Sequence, residues 1–238
     1  MCVQGVEHLR VLSSHQPDFF PYMGYFYKLF QSGVFVFSDD VLFSKTGRHN
    51  YNEILTKDGP KRFTLPIHQH TRPLNEIRIA ADARTVDKMI KTLWQEYRSA
   101  EHFHSVFPVI EDMLSQAPAA DNLAAFNHAC ILKIAARFGL LYYRATILSS
   151  ALDLQGHRDE RILDMCRKLK ADVYYSGVAA FDYHVESNYT DNGIILACTD
   201  YQPVKYPQVW SPAENMSVID YVMNCGFTLP PEWRRTYE

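Results

Sequence analysis

The chain has no excess of positive charge: 24 Lys and Arg stand against 27 Asp and Glu, a formal net charge of −3. A protein that tracks a phosphate backbone usually carries a basic stripe that favours its approach to nucleic acid. DNA and RNA are therefore excluded as expected partners. The cysteines form no pattern either. Cys2, Cys130, Cys166, Cys198 and Cys225 are odd in number and scattered, without the C-x-x-C spacing of a zinc site or redox pair, which fits a reducing cytoplasm. No stretch stays apolar for the ~20 residues that a membrane crossing requires. The opening Met1-Cys2-Val3-Gln4-Gly5-Val6-Glu7-His8 lacks the basic start and apolar run of a secretory signal. Membrane insertion is not expected. No H-E-x-x-H, P-loop or G-x-S-x-G elbow occurs. His68 and His70 lie two apart without a further ligand, so no metal site is assigned.

What is present is apolar and patterned. With 47% hydrophobic residues over 238 positions, the chain can bury a sizeable core without staples. No repeat, low-complexity tract or linker divides it, and a single α/β domain over residues 1–238 is expected. Leu9 to Ser13 is a short apolar run that must stop before Pro17. Phe26, Leu29 and Phe30 stand at helical spacing within Gly24–Gln31, and Ser32-Gly33 closes that helix. Val34–Phe37 reads as a second strand, completing a βαβ unit with parallel neighbours. Residues 52–67 read as a β-hairpin turning at Lys57-Asp58-Gly59-Pro60, placed as a flap over the site. Residues 85–139 read as a helical insertion: Thr85–Ala100, Phe103–Gln116 and Asp121–Phe138, the last opened by an aspartate and closed by Gly139. Alternation then resumes with a strand at Tyr142–Leu148, a helix at Asp159–Lys170, strands at Val173–Ser176 and Ile194–Ala197, and a helix from Ser217 to Asn224. The expected fold is a Rossmann-like three-layer α/β/α sandwich with a mainly parallel sheet.

Three polar constellations fall where ligands bind in such sheets, beyond the carboxyl ends of the strands. The first is His15-Gln16-Pro17-Asp18 through Tyr22-Met23-Gly24-Tyr25, a proline-fixed loop leading into a helix N-terminus that favours a phosphate or carboxylate. His15, with a reference pKa of about 6.5, suits acid–base work. Gln16, Tyr22, Gly24 and Tyr25 line its path. The second is Asp39-Asp40, placed beside His15 as catalytic carboxylates or as holders of Mg²⁺ against a nucleotide cofactor. Lys45, Arg48, Asn50 and Asn52 follow as donors for phosphate or sugar hydroxyls. The third is Ser176-Gly177, a strand end entering small residues, read as another anion-binding turn. For each, the plainer alternative is a packed or solvated loop.

The H-Q-P-x-F-x-P-Y-x-G-Y-F opening, the Asp-Asp strand end and Asn50-Tyr51-Asn52-Glu53-Ile54 resemble WbqC-like proteins. Tyr175-Ser176-Gly177 with Tyr183, Tyr206-Pro207-Gln208 and Ser217-Val218-Ile219-Asp220 with Asn224-Cys225-Gly226 continue the likeness over nearly the whole chain. The resemblance implies a transferase of surface-polysaccharide (O-antigen) biosynthesis that moves a glycine-like aminoacyl or acyl group onto a nucleotide-linked amino sugar. His15 or Asp39 would be the base, and backbone donors after Ser176 would hold the oxyanion. The expected partner is a small molecule, a nucleotide-sugar, with homodimer formation left open. A more distant fold resemblance to H-x-G-H nucleotidyltransferases leaves adenylation or cytidylation of a small substrate as an alternative. There Tyr22-Met23-Gly24-Tyr25 stands where the histidines would be. A non-catalytic sugar-nucleotide binding protein is the third alternative.

Overall fold

The computed structural model describes residues 9–142 and 144–236; Cys2 and the opening residues 1–8 lie outside them. The chain begins with β1 (Val11–His15), α1 (Met23–Gln31) and β2 (Val34–Phe37). The strands pair in parallel with His15 opposite Phe37, so the expected βαβ unit is present. The first strand starts and ends two residues later than the apolar run implies, because its polar residues are satisfied by a neighbouring strand. Ser13 Oγ donates to the Tyr175 carbonyl at 2.9 Å, and Ser14 Oγ meets Tyr174 OH at 2.9 Å.

The hairpin follows as β3 (Tyr51–Thr56) and β4 (Gly59–Thr64). It turns at Lys57-Asp58, with Thr56 opposite Gly59. Gly59 and Pro60 thus begin a strand instead of forming the turn. Gly59 absorbs a φ of +99°, and Pro60 is tolerated because the ribbon has only two strands. Three helices come next: α2 (Ala83–Tyr97), α3 (Phe103–Ser115) and α4 (Leu123–Arg137). Asp82 caps α2 by accepting from Thr85 N, and Asn122, one residue past the expected Asp121, caps α4 by accepting from Ala125 N. The remaining elements are β5 (Ala145–Leu148), α5 (Asp159–Leu169), β6 (Val173–Ser176), the short α6 (Val178–Phe181) and α7 (Glu186–Thr190), β7 (Ile195–Cys198) and α8 (Val218–Cys225).

The sheet runs β5-β2-β1-β6-β7, every neighbouring pair parallel. Alternate residues of β2 point into different cores. Phe35 and Phe37 join the larger one, with residues of α1, α2, α3, α4 and α8 and with Ile54 and Phe63 of the hairpin. Leu12, Val34 and Val36 face the other, with Leu163 and Cys166 of α5 and Tyr189 of α7. Covered on both faces, β2 reads as a continuous apolar run of Val34, Phe35, Val36 and Phe37. The chain leaves β1 toward β2 and β5, then returns to lay β6 on the other side of β1. That reversal opens a crevice at the strand ends, where α/β sheets bind ligands. Among the described residues, no helix is long and apolar enough to cross a membrane.

Candidate active site

A cavity of about 780 Å³ occupies this switch point. Its floor comes from Ser14, His15 and Gln16 at the end of β1, Ser38 after β2, and Gly177 and Val178 after β6. Tyr22, Gly24, Tyr25 and Lys28 close one side from α1, and Arg158, Arg161 and Met165 the other from the start and body of α5.

The loop after β1 is held as a unit. His15 Nδ1 lies 3.1 Å from the Gln16 carbonyl, which can only accept, so the ring hydrogen sits on Nδ1. Burial within the loop lowers the His15 pKa, with Asp18 opposing and Lys28 adding to the effect. The ring is therefore neutral at pH 7 and leaves Nε2 as an acceptor. Tyr25 packs edge-on against it at 4.8 Å and donates to the Gln16 carbonyl at 3.0 Å. The Tyr22 ring lies over Gly24, where a Cβ would fall 2.3 Å from it, so a larger residue at this position would displace the Tyr22 side chain.

Lys28 is the main electrostatic feature. Its side chain is buried, yet Nζ donates only to the Ser14 carbonyl, at 2.8 Å, and has no ion-pair partner among the described residues. Burial lowers its pKa to about 8, so the ammonium is charged at neutral pH with donor capacity to spare. Arg158 adds charge at the rim from a strained backbone, with φ 50° and ψ −126°. Arg161 is tied to Asp40 at 2.6 Å.

On the wall beside Gly177 stands an arrangement that the sequence reading did not find. Ser176 Oγ lies 3.0 Å from His184 Nε2, and His184 Nδ1 lies 2.7 Å from Asp159 Oδ1. Asp159 also accepts from Val185 N, Asn188 Nδ2 and Tyr189 OH, each at 3.0 Å. Burial raises its pKa, but these donors outweigh burial and the net shift is downward. The three residues come from α5, β6 and the turn before α7. Their spacing carries no motif, so only the fold could reveal them.

The sequence profile of the WbqC-like protein family matches residues 16–229. The chain belongs to the WbqC-like protein family. The uncharacterized Mycobacterium tuberculosis protein Rv1507c is 26% identical over 223 residues, covering 90% of this chain and 94% of the other. No solved structure matches it significantly.

In this WbqC-like protein, His15, Gln16, Tyr22, Gly24, Tyr25 and Gly177 line the crevice together, and Ser176 stands directly behind Gly177. The other sequence-read candidates are occupied elsewhere. Asp39 is buried and accepts from Ser149 Oγ at 3.2 Å, Ser150 N at 3.0 Å and Ser150 Oγ at 2.7 Å, anchoring the turn after β5. Asp40 takes Arg161 and Ser149 Oγ. With their oxygens engaged in this way, the pair does not fit the Mg²⁺ site considered for it. Among the described residues, no group of three or more His, Cys, Asp or Glu side chains is arranged to hold a metal ion. Lys45 is exposed outside the cavity. Arg48 pairs with Glu53 at 3.1 Å and sits over the Tyr51 ring. Asn50 Nδ2 donates to the Leu65 carbonyl at 3.0 Å. Asn52 Nδ2 reaches the carbonyls of Phe19 and Phe20 at 3.3 and 2.9 Å. Asn52 thus holds the loop that carries His15, and the hairpin contributes none of the residues lining the cavity. The α6 helix after Gly177 spans only Val178–Phe181, too short for the expected oxyanion-binding helix start.

Proposed function

We propose that this WbqC-like protein is a transferase that holds a nucleotide-linked amino sugar by its phosphates and moves an acyl or glycine-like aminoacyl group onto its amine, as a step toward surface polysaccharide. The observation that carries this reading is Lys28, a buried ammonium at the switch-point crevice with one hydrogen-bond acceptor and no counter-charge among the described residues. Such a charge favours an anion with several acceptor oxygens. Arg158 at the rim extends the positive field toward a second phosphate. His15, neutral with Nε2 as acceptor, orients the sugar amine so that its lone pair faces the acyl carbonyl. Tyr22 and Tyr201, in edge contact at 5.7 Å, offer an aromatic side to a nucleobase or sugar ring.

The test is titration calorimetry with UDP-glucosamine, followed by turnover with activated acyl donors. Binding is expected in the wild type and loss of binding in Lys28→Met. His15→Ala is expected to bind normally and to transfer about a hundredfold more slowly. Tight binding without turnover across a panel of donors would instead indicate a non-catalytic binding protein. Binding of ATP or CTP in place of the nucleotide-sugar would favour nucleotidyl transfer.

A further inference from the structure

Acyl transfer can proceed by direct attack of the amine or through a covalent intermediate. The geometry points to Ser176 as a nucleophile that carries the acyl group as an ester, with His184 as its base and Asp159 orienting His184; this rests on the acyl-transfer reading above.

A carboxylate can only accept, so the 2.7 Å contact with Asp159 places the hydrogen of His184 on Nδ1. Nε2 then presents its lone pair to the Ser176 hydroxyl at 3.0 Å, the tautomer that a base for serine requires. The alternative acceptor for that hydroxyl, the Gly177 carbonyl, is farther away at 3.3 Å. Asp159 is itself held by Val185 N, Asn188 and Tyr189, so the imidazole plane is fixed from behind. A purely structural hub would need those bonds but not a serine on the free ring nitrogen.

Gly177 supports the same conclusion. Its φ is not positive, and a Cβ there would meet only Lys28 Nζ, at 3.9 Å, an ordinary contact. Neither backbone nor packing demands glycine. What its bare surface does is leave the cavity wall without a side chain beside Ser176 and bring the Lys28 ammonium close to the same turn, where it can stabilise an oxyanion. Ser176 is 1% exposed, so an ester formed there is shielded from bulk water, which favours transfer over hydrolysis.

The steps balance without a further reactant. Ser176 Oγ attacks the carbonyl of an acyl ester or thioester while its proton passes to His184 Nε2. The bond from acyl carbon to leaving group breaks, and the leaving group departs with that proton. The sugar amine then attacks the seryl ester. It loses a proton to His184, the ester bond to Ser176 breaks, and the serine oxygen takes the proton back. The net products are an amide and the protonated leaving group.

The experiment uses the full chain with p-nitrophenyl acetate as acyl donor and UDP-glucosamine as acceptor. A burst of one p-nitrophenolate per chain is expected, with peptide mapping placing the acetyl group on Ser176. Ser176→Ala should lose both while still binding UDP-glucosamine. Ser176→Cys should trap the acyl group as a hydroxylamine-sensitive thioester, which keeps the test valid if the alanine variant fails to fold. His184→Gln and Asp159→Asn should slow the burst about 10³- to 10⁴-fold. An acyl group found only on another residue, or no adduct on either Ser176 or its cysteine replacement, overturns the inference. UDP-glucosamine binding with an unlabelled Ser176 defeats this inference alone. A labelled Ser176 without UDP-glucosamine binding defeats the acceptor reading and leaves the nucleophile standing.

Discussion

Lys28 and Arg158 show how single residues prepare the crevice at a cost to the empty protein. The Lys28 pKa is lowered to about 8 by burial, so between pH 8 and its unfolded value near 10.5 the folded chain binds fewer protons than the unfolded one. Stability from this group therefore rises with pH across that window. Ligand affinity must run the other way, because an anion stabilises the ammonium and binding takes up a proton as pH passes 8. Calorimetry with UDP-glucosamine should show Kd rising about tenfold per pH unit above that value, and His15→Ala, which keeps Lys28, should show the same dependence. At Arg158, φ 50° with ψ −126° is a conformation that a non-glycine residue adopts only under strain. Arg158→Gly is expected to raise stability by about 1 kcal/mol in urea denaturation while weakening nucleotide-sugar binding. A variant that lost stability would show that the arginine side chain holds the turn.

Between elements, the hairpin secures the loop from β1 to α1 instead of covering it. Asn52 in β3 donates to the carbonyls of Phe19 and Phe20, Ser217 Oγ donates to the Phe20 carbonyl at 2.8 Å, and Phe20 itself is held at φ 41°. Asn127 in α4 bonds the carbonyls of Pro17 and His49 at 2.8 and 2.7 Å. Each amide satisfies two buried acceptors, and leaving such groups unpaired costs about 1–3 kcal/mol apiece. Asn52→Ala and Asn127→Ala should each lower stability by about 2–4 kcal/mol in chemical denaturation, with the loss of activity tracking the folded fraction. A variant with full stability and no activity would return Asn52 to the role of a substrate contact.

At the scale of the molecule, Asp220 in α8 ties distant segments together. It accepts from Tyr97 OH at 2.8 Å, Tyr206 OH at 2.7 Å and Gln208 Nε2 at 2.7 Å, while Tyr97 OH also receives Leu55 N of the hairpin at 3.0 Å. Burial raises the Asp220 pKa, and the hydrogen bonds from Gln208, Tyr206 and Tyr97 oppose that shift. Asp220→Ala would remove the acceptor of the buried Tyr97 hydroxyl and of the half-buried Tyr206 hydroxyl, while Gln208 Nε2 keeps the Ala213 carbonyl at 3.1 Å, and should cost about 2–4 kcal/mol, read as a lower denaturation midpoint. An unchanged midpoint would show that water or repacking satisfies them.

The sequence by itself determined the βαβ opening, the alternation that follows the helical segment, and the position of His15 at a strand end beside a helix start. These are local matters: the period of apolar residues and the placement of proline and glycine report backbone conformation over a few residues. Tertiary structure decided the strand order, which returns β6 to β1 and so brings Gly177 against Lys28 and Ser14 against Tyr174. It also decided which polar residues serve the crevice and which brace its loops. Asp39, Arg48, Asn50 and Asn52 look alike in sequence to residues that bind a ligand, because hydrogen-bonding capacity is a property of the side chain while its use depends on what packs nearby. Asp159, Ser176 and His184 meet because α5, β6 and the turn before α7 share one end of the sheet. No local pattern encodes that meeting, since it is set by packing between elements distant in the chain.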